Sequence, residues 1–168
     1  MAITLNQPNT IHLSGEAQEV GDLAAGVKIC PGHLVERYNP SGTIIRARPH
    51  ATASVATARN FAVEQSEVNK NVNDGYAIND LVRSKIVAPG GTVWALIPSG
   101  QNITAGQKLE SNGDGTLKAY ATLGAALCSA VEAVNNTTGA AGPVNPPPQT
   151  GSTTALPVGA ARIRVEIL

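Results

Sequence analysis

The chain has 168 residues and no formal net charge, because 12 basic residues balance 12 acidic ones. A neutral chain gives no bulk electrostatic reason to bind nucleic acid or an anionic membrane. Aromatic residues are only 3% of the sequence, whereas there are 17 Gly and 11 Pro residues. One domain is the expectation at this length, and the Gly and Pro content favours a loop-rich β protein.

Residues 1–20 read as a weakly patterned arm. They lack the basic and apolar regions of a secretory signal, and no apolar run in the chain is long enough to span a membrane. We expect an extended arm over residues 1–20 and a single β domain over residues 21–168. The arm carries isolated apolar residues that could bind a partner: Ile3, Leu5, Ile11 and Leu13.

Two segments of the chain repeat one short pattern. The first copy is Ile29-x-x-Gly32-x-x-Val35-Glu36, followed by Asn39 and Gly42-Thr43-Ile44. The second copy is Ile103-x-x-Gly106-x-x-Leu109-Glu110, followed by Asn112 and Gly115-Thr116-Leu117, one residue shorter before the Asn. Each copy places a Gly turn before a strand and a Gly-Thr-aliphatic return after it. The repeat predicts two similar hairpins that close one barrel or sandwich.

Charge is unevenly distributed in the first half of the domain. Basic residues are in excess over residues 21–60 and acidic residues over 61–80. These are either two solvated faces, or edges that meet in a homo-oligomer or on a partner lattice. The candidate contact residues are Arg46, Arg48, Arg59, Glu64 and Glu67. Residues 51–73 of this part fit either a helix or an extended run.

The middle of the chain, residues 79–120, reads as short strands separated by turns. Leu81–Val87 alternates as an extended segment, and Thr92–Ile97 is an apolar run of the length expected for a buried strand. Asn112-Gly113-Asp114-Gly115 is the strongest hairpin signal in the sequence.

The last part combines two predicted strands with a low-complexity loop. We predict a strand over residues 126–134 and a long Pro- and Thr-rich loop over 135–157. Arg162–Leu168 alternates as a strand that normally pairs inside a sheet. Ile163, Val165 and Ile167 are expected to face the core, and Arg162, Arg164 and Glu166 to face outward.

No constellation of residues indicates catalysis or metal binding. His12, His33 and His50 are widely spaced, and His33 reads as a turn residue beside Pro31-Gly32. Cys30 and Cys128 are expected to be reduced, half-buried thiols, with a disulfide or metal ligation as weaker alternatives. We therefore expect a protein that is not an enzyme, with no cofactor, metal or small-molecule substrate, and with no nucleic acid or membrane partner.

Several short motifs follow one another in a fixed order between Gly21 and Leu168. They are Pro31-Gly32-His33-Leu34-Val35-Glu36, Arg59-Asn60-Phe61-Ala62-Val63-Glu64, Asn79-Asp80-x-Val82, Ala88-Pro89-Gly90-x-Thr92-Val93-x-Ala95-Leu96, Gly106-Gln107-Lys108-Leu109-Glu110-Ser111-Asn112-Gly113-Asp114-Gly115-Thr116-Leu117 and Arg162-Ile163-Arg164-Val165-Glu166. Each motif is a turn signature, and their order along one chain resembles the head decoration, or cement, proteins of tailed bacteriophages. The loop at 135–157 has no place in the family pattern.

The resemblance implies an all-β, small β-barrel-like or tulip-like domain. It implies a homotrimer on the outer surface of the expanded phage head, made in the host cytoplasm, that stabilises the virion by bridging major capsid subunits. The alternatives are another virion component, such as a tail or head–tail connector protein, and an enzyme built on a β domain.

Overall fold

The computed structural model describes residues 10–121, 124–138 and 159–168. Within these ranges the chain forms thirteen β-strands, one turn of 3-10 helix at Ser66–Val68 and no α-helix. The strands are β1 (His12–Ser14), β2 (Ala17–Ala24), β3 (Val35–Tyr38), β4 (Arg46–Pro49), β5 (Asn60–Ala62), β6 (Leu81–Val87), β7 (Thr92–Ile97), β8 (Gln101–Ile103), β9 (Lys108–Ser111), β10 (Leu117–Ala119), β11 (Cys128–Ala130), β12 (Val134–Asn136) and β13 (Ala161–Ile167).

The described strands assemble into four sheets. The largest has the order β1-β7-β13-β11-β9-β10, and a three-stranded sheet has the order β2-β6-β5. Two further pairs are β12-β8 and β3-β4, and every strand pairing is antiparallel. The all-β prediction is confirmed. The barrel-like closure is wrong for this part of the chain, because the sheets remain open and pack against one another.

The strands predicted around the middle of the chain are present. β6 and β7 cover the two predicted runs, and β9 pairs with β10 across the predicted turn. Apart from the single 3-10 turn at Ser66–Val68, residues 51–73 are extended or turn-forming, so the helical alternative for this stretch is wrong. Phe61 in β5 is fully buried, which gives this region a tertiary reason to extend.

The strand predicted over residues 126–134 is divided into two. β11 pairs with β13 and β9, whereas β12 pairs with β8 in a separate sheet. The chain bends at Val131 and Glu132, and the side chain of Glu132 accepts a hydrogen bond from the Arg164 backbone N–H at 3.0 Å. The alternating pattern therefore continues across a change of sheet. Asn135 and Asn136, which we predicted to open the loop at 135–157, belong to β12; residues 139–157 lie outside the described residues.

The main core lies against the six-stranded sheet. Aliphatic side chains from its strands form one buried cluster, and a second cluster lies beneath the three-stranded sheet and the β3–β4 hairpin. Both cysteines remain thiols and are fully buried, more deeply than the predicted half-burial. Burial raises the pKa of Cys30 to about 11 and that of Cys128 to about 12.

Strand β13 is central to the large sheet, between β7 and β11. Its inward residues are those predicted, but Arg162 is an exception: we expected it to face outward, and it is fully buried. Its guanidinium donates hydrogen bonds to the Asn73 side chain at 3.0 Å, to the Pro31 carbonyl at 3.2 Å and to the Val72 carbonyl. Burial lowers the pKa of Arg162 to about 10, so the group stays charged at neutral pH. Loops that pack over the start of β13 cover the side predicted to be solvated.

The chain after Thr10 is attached to the domain. Ile11 is fully buried beside Val63 and Val72. The Glu64 carboxylate accepts hydrogen bonds from the Thr10 hydroxyl and, at 2.9 Å, from the Ile11 backbone N–H. β1 then pairs with β7, and β2 with β6.

Candidate interaction surface

Both copies of the sequence repeat fold as hairpins, although the return strand begins at Leu117 in the second copy and only after Ile44 and Ile45, at Arg46, in the first. Each forms a hairpin, β3–β4 in the first copy and β9–β10 in the second. The turns before them share one hydrogen bond: His33 Nδ1 accepts from the Cys30 N–H at 3.0 Å, and Gln107 Oε1 accepts from the Thr104 N–H at 3.0 Å. The prediction of two similar hairpins is confirmed, and so is the turn position of His33.

The two hairpins are joined by backbone hydrogen bonds. Leu34 N–H donates to the Gly115 carbonyl at 2.8 Å, and Gly115 N–H donates to the His50 carbonyl at 3.1 Å. His50 N–H in turn donates to the Leu34 carbonyl at 2.8 Å. The resulting junction fixes one copy of the repeat on the other.

Polar side chains complete this junction. His50 Nδ1 lies 2.8 Å from Ser111 Oγ, and its Nε2 lies 3.6 Å from a Glu36 carboxylate oxygen. Glu36 also accepts from Arg48 Nε at 2.8 Å. A Glu–His–Ser series can activate a serine, but here Ser111 is fully buried and its hydroxyl also accepts from Gly113 N–H at 3.2 Å. The arrangement therefore acts as a structural polar junction, and burial lowers the pKa of His50.

Three of the predicted contact residues are held within the chain. Arg48 binds Glu36 and lies over the Tyr38 ring, 4.6 Å from its centroid. Glu64 holds Thr10 and Ile11, and Glu67 pairs with Arg83. Of the four carboxylates in the acidic segment, Glu67 and Asp80 have a cationic partner, whereas Glu64 and Asp74 bind uncharged groups. The role of this segment in contacts with other copies or with a partner lattice stays a prediction.

Arg46 and Arg59 have no carboxylate partner among the described residues. Arg46 donates to the Asn79 side-chain oxygen at 2.6 Å and to the Ala25 carbonyl at 3.3 Å. Arg59 lies beside an open groove of about 790 Å³ near Ile86, and its buried Nε has no hydrogen-bond partner in that part of the structure. The structure does not bring these two arginines together.

The predicted arm residues fall into three situations. Ile3 and Leu5 lie outside the described residues. Ile11 is enclosed by its own chain and is unavailable to a partner in this conformation. Leu13, in β1, is 40% exposed.

Several exposed aliphatic side chains that the sequence reasoning did not select belong to segments joined by hydrogen bonds between Arg46, Asn79 and Ala25. Arg46 donates to the Asn79 side chain, and Asn79 N–H also donates to Ala25 O at 2.9 Å. Five exposed side chains occur within two residues of these bonded positions, and they define what we call the apolar end: Val27, Ile44, Ile45, Ile78 and Leu81.

The apolar end has a basic rim. Lys28 is exposed and has no ion pair among the described residues, and Arg46 bonds only uncharged oxygens. Exposed aliphatic patches with a polar rim mark protein interaction sites. The sequence held a signal for this surface, because Ile44-Ile45 is an apolar pair next to a Gly turn. We interpreted the pair as part of a returning strand and so did not predict that it is exposed.

Among the described residues, no group of three or more His, Cys, Asp or Glu residues is placed to hold a metal ion. The described part of the chain also contains no helix that is long and apolar enough to cross a membrane.

Comparison with known proteins gives a structural likeness without a sequence family. Neither a protein-family model nor a curated protein matches the chain. The chain is similar to the N-terminal base of the head fiber protein gp8.5 of bacteriophage phi29, with a TM-score of 0.51 and 12% sequence identity. The likeness covers 91% of this chain and 95% of that one, so the two share an overall fold.

Proposed function

We propose that the chain is a virion structural protein of a tailed bacteriophage that decorates the outer surface of the expanded head. It acts as a cement protein, a homotrimer that bridges neighbouring major capsid subunits, and it is not an enzyme. The fold shared with a phage head fiber base and the resemblance to decoration proteins support this assignment. The observation that carries it is the apolar end, a surface suited to burial on a protein partner.

The apolar end can supply the binding free energy. Burying one exposed aliphatic side chain contributes about 1.5–3 kcal/mol, so several buried together can exceed the cost of association. The basic rim favours a partner surface with carboxylates beside its apolar centre. A protein that binds the assembled lattice better than its dissociated subunits shifts the equilibrium toward the intact head.

The first residues of the chain are proposed as a second attachment. Ile3 and Leu5 precede Thr10 and Ile11, which are hydrogen-bonded to the Glu64 carboxylate, and Leu13 is exposed just after them. In a trimer the second and third arms bind from a high effective concentration, so modest contacts add up. The arm of one copy can add a strand to a neighbouring sheet edge.

Binding to undecorated heads tests the proposal. Purified protein mixed with such heads should decorate them over the whole surface in electron micrographs. Ile44→Asp and Ile78→Asp should weaken binding by at least about tenfold, since each places a charge in a buried apolar contact. Val131→Asp is the matched control, because Val131 is also exposed but lies outside the apolar end. Density at a single vertex would instead favour a connector or tail component.

The trimer and the arm are tested separately. Light scattering should give three times the 17.2 kDa chain mass. Deleting residues 2–9 removes Ile3 and Leu5 but keeps the hydrogen bonds from Thr10 and Ile11 to Glu64. The shortened protein should therefore stay folded and trimeric while binding heads less tightly. Unchanged binding would exclude these residues as an anchor.

A further inference from the structure

The edge of the three-stranded sheet at β2 is open. β2 pairs with β6 on one side, and in the described chain no strand pairs with its other side before Ala25 bridges to Ala47. Ala17, Glu19 and Gly21 are all exposed, and a Cβ added at Gly21 would meet no atom within 4 Å.

The hydrogen-bond pattern shows which groups face this edge. Ala88 N–H donates to the Glu16 carbonyl at 2.9 Å, so Glu16 is bonded to β6 and Ala17 is not. Val87, opposite Ala17, directs its N–H away from β2 to the Arg59 carbonyl at 3.0 Å. By the same alternation, the backbone N–H and C=O groups of Ala17 and Glu19 point outward, where a further strand could bind them.

The acidic charge of this edge favours a basic strand as its binding partner. Residues 15–27 contain Glu16, Glu19 and Asp22 but no Lys or Arg. Glu16 has no partner among the described residues, Glu19 shares Arg83 with Glu67, and Asp22 contacts Arg37 only at 3.6 Å between largely exposed groups. A second copy of this edge would place acid against acid. Of the basic strands of this chain, β13 is paired on both sides, and β4 pairs with β3 while its Ala47 carbonyl accepts from Gly26 N–H at 2.9 Å on the other side.

We propose that the edge of β2 from Glu16 to Gly21 receives an extended basic segment of the capsid shell protein as an added strand. This inference rests on the proposed function, since the occupant is the decorated lattice. Backbone hydrogen bonds to Ala17 and Glu19 give the register, and Lys or Arg side chains of the segment face the carboxylates.

Substitutions on the edge test the strand addition in a head-binding assay. Ala17→Pro removes an outward N–H, which an edge strand tolerates, and should weaken binding by about tenfold or more. Ala17→Val keeps that N–H and should bind like the unmodified chain. Glu16→Lys should weaken binding, whereas Glu166→Lys, an exposed carboxylate on β13, should not. On heads, the amides of Ala17 and Glu19 should gain protection from hydrogen exchange.

Each failure has its own meaning. If the unmodified chain does not bind heads, the proposed function fails and this inference fails with it. If it binds but Ala17→Pro and Glu16→Lys bind equally well, or the two amides gain no protection, only the strand addition is overturned. Protection of those amides in the free protein would assign the edge to a second copy and overturn the capsid occupant. If Ala17→Pro does not fold, the exchange measurement and Glu16→Lys decide.

Discussion

The two hairpins of the repeat share a turn hydrogen bond but have opposite surroundings. In the first copy, Gly32 lies in a buried turn, where an added Cβ would be 3.1 Å from the Trp94 carbonyl oxygen. Gly42, at the tip of the same hairpin, has open space around it. In the second copy Gly106 is open, whereas a Cβ on Gly115 would lie 2.6 Å from Pro49 Cβ. Each copy therefore has one crowded turn and one free turn, in reverse order.

This difference distinguishes the local structure that the repeated sequence determines from the packing that depends on where each copy lies in the fold. The shared turn hydrogen bonds at His33 and Gln107 come from local sequence. The crowding at Gly115 comes from the docking of one hairpin on the other, and the crowding at Gly32 comes mainly from its packing on β7. The free tip of the first copy leads into Ile44 and Ile45 of the apolar end, so one copy closes the fold while the other also presents a surface.

The largest loss of stability should follow substitution of Arg162, which donates a hydrogen bond to the turn of the first copy at Pro31 and makes no such bond to the described residues of the second copy. Arg162→Met leaves buried carbonyls at Pro31 and Val72 without their donor and should cost roughly 3–5 kcal/mol of unfolding free energy. Arg164→Met, two residues along the same strand and exposed, should change stability by about 0.5 kcal/mol or less. Denaturant unfolding measures both, and equal costs would mean that the buried contacts of Arg162 do not stabilise the turn.

The next effect should distinguish the two tips. Gly115 and Gly42 have φ values of 82° and 81°, so a β-branched residue is strained at either position. Gly115→Val adds overpacking against Pro49 and His33 and should cost about 2–4 kcal/mol, against about 1 kcal/mol for Gly42→Val. Thermal unfolding of the pair would contradict this account of the junction if both lost the same stability.

Acid should act on the first copy through His33. Burial lowers the pKa of His33 to about 4, below the value near 6.5 of an unfolded chain. Between these values the unfolded state binds a proton that the folded state does not, so stability falls as pH is lowered from 6.5 to 4. The loss approaches about 3 kcal/mol at pH 4, at 1.36 kcal/mol per pKa unit.

The second copy supplies the control for this acid effect. Gln107 makes the equivalent hydrogen bond with a side chain that does not titrate. His33→Gln should therefore keep the turn while flattening the dependence of stability on pH. An unchanged slope would assign the acid sensitivity to His12 or His50, whose pKa values are also lowered by burial.

The smallest effect concerns the thiols, one beside each hairpin. Cys30 precedes the first hairpin, and Cys128 pairs with Leu109 of the second. Burial raises the pKa of both, so neither should react with a thiol reagent at pH 8 until its surroundings open. Both should react after unfolding without reductant. Equal reaction rates in the native state would indicate that the two hairpins open together.

Much of the fold could be predicted because the signals were local. Alternation in Ile163, Val165 and Ile167, the Asn112–Gly115 turn and the apolar run from Thr92 each determine a strand or turn over a few residues. Arg162 could not be placed, because its burial depends on loops that are distant in sequence. The barrel-like closure failed for the same reason, since local patterns do not specify which strand edges meet.

The interaction surface was harder to predict than the strands. The charge distribution selected Arg48, Glu64 and Glu67 as contact residues. In the folded chain Arg48 and Glu67 form ion pairs, and Glu64 accepts hydrogen bonds from Thr10 and Ile11. The residues of the apolar end come from three separate segments, which the hydrogen bonds of Arg46 and Asn79 bring together only in the folded chain.

The central position of β13 also has a kinetic consequence. Its neighbour β7 is separated from it by more than sixty residues of chain, and their pairing completes the middle of the large sheet. Folds dominated by such distant antiparallel pairings form slowly, in about milliseconds to seconds, because a long loop must close before the contacts stabilise it. Until β13 pairs with them, the edges of β7 and β11 that face it keep their backbone hydrogen-bonding groups unpaired. Newly made chains should therefore be most prone to aggregation in this interval, and lower temperature or slower synthesis should raise the yield of folded protein.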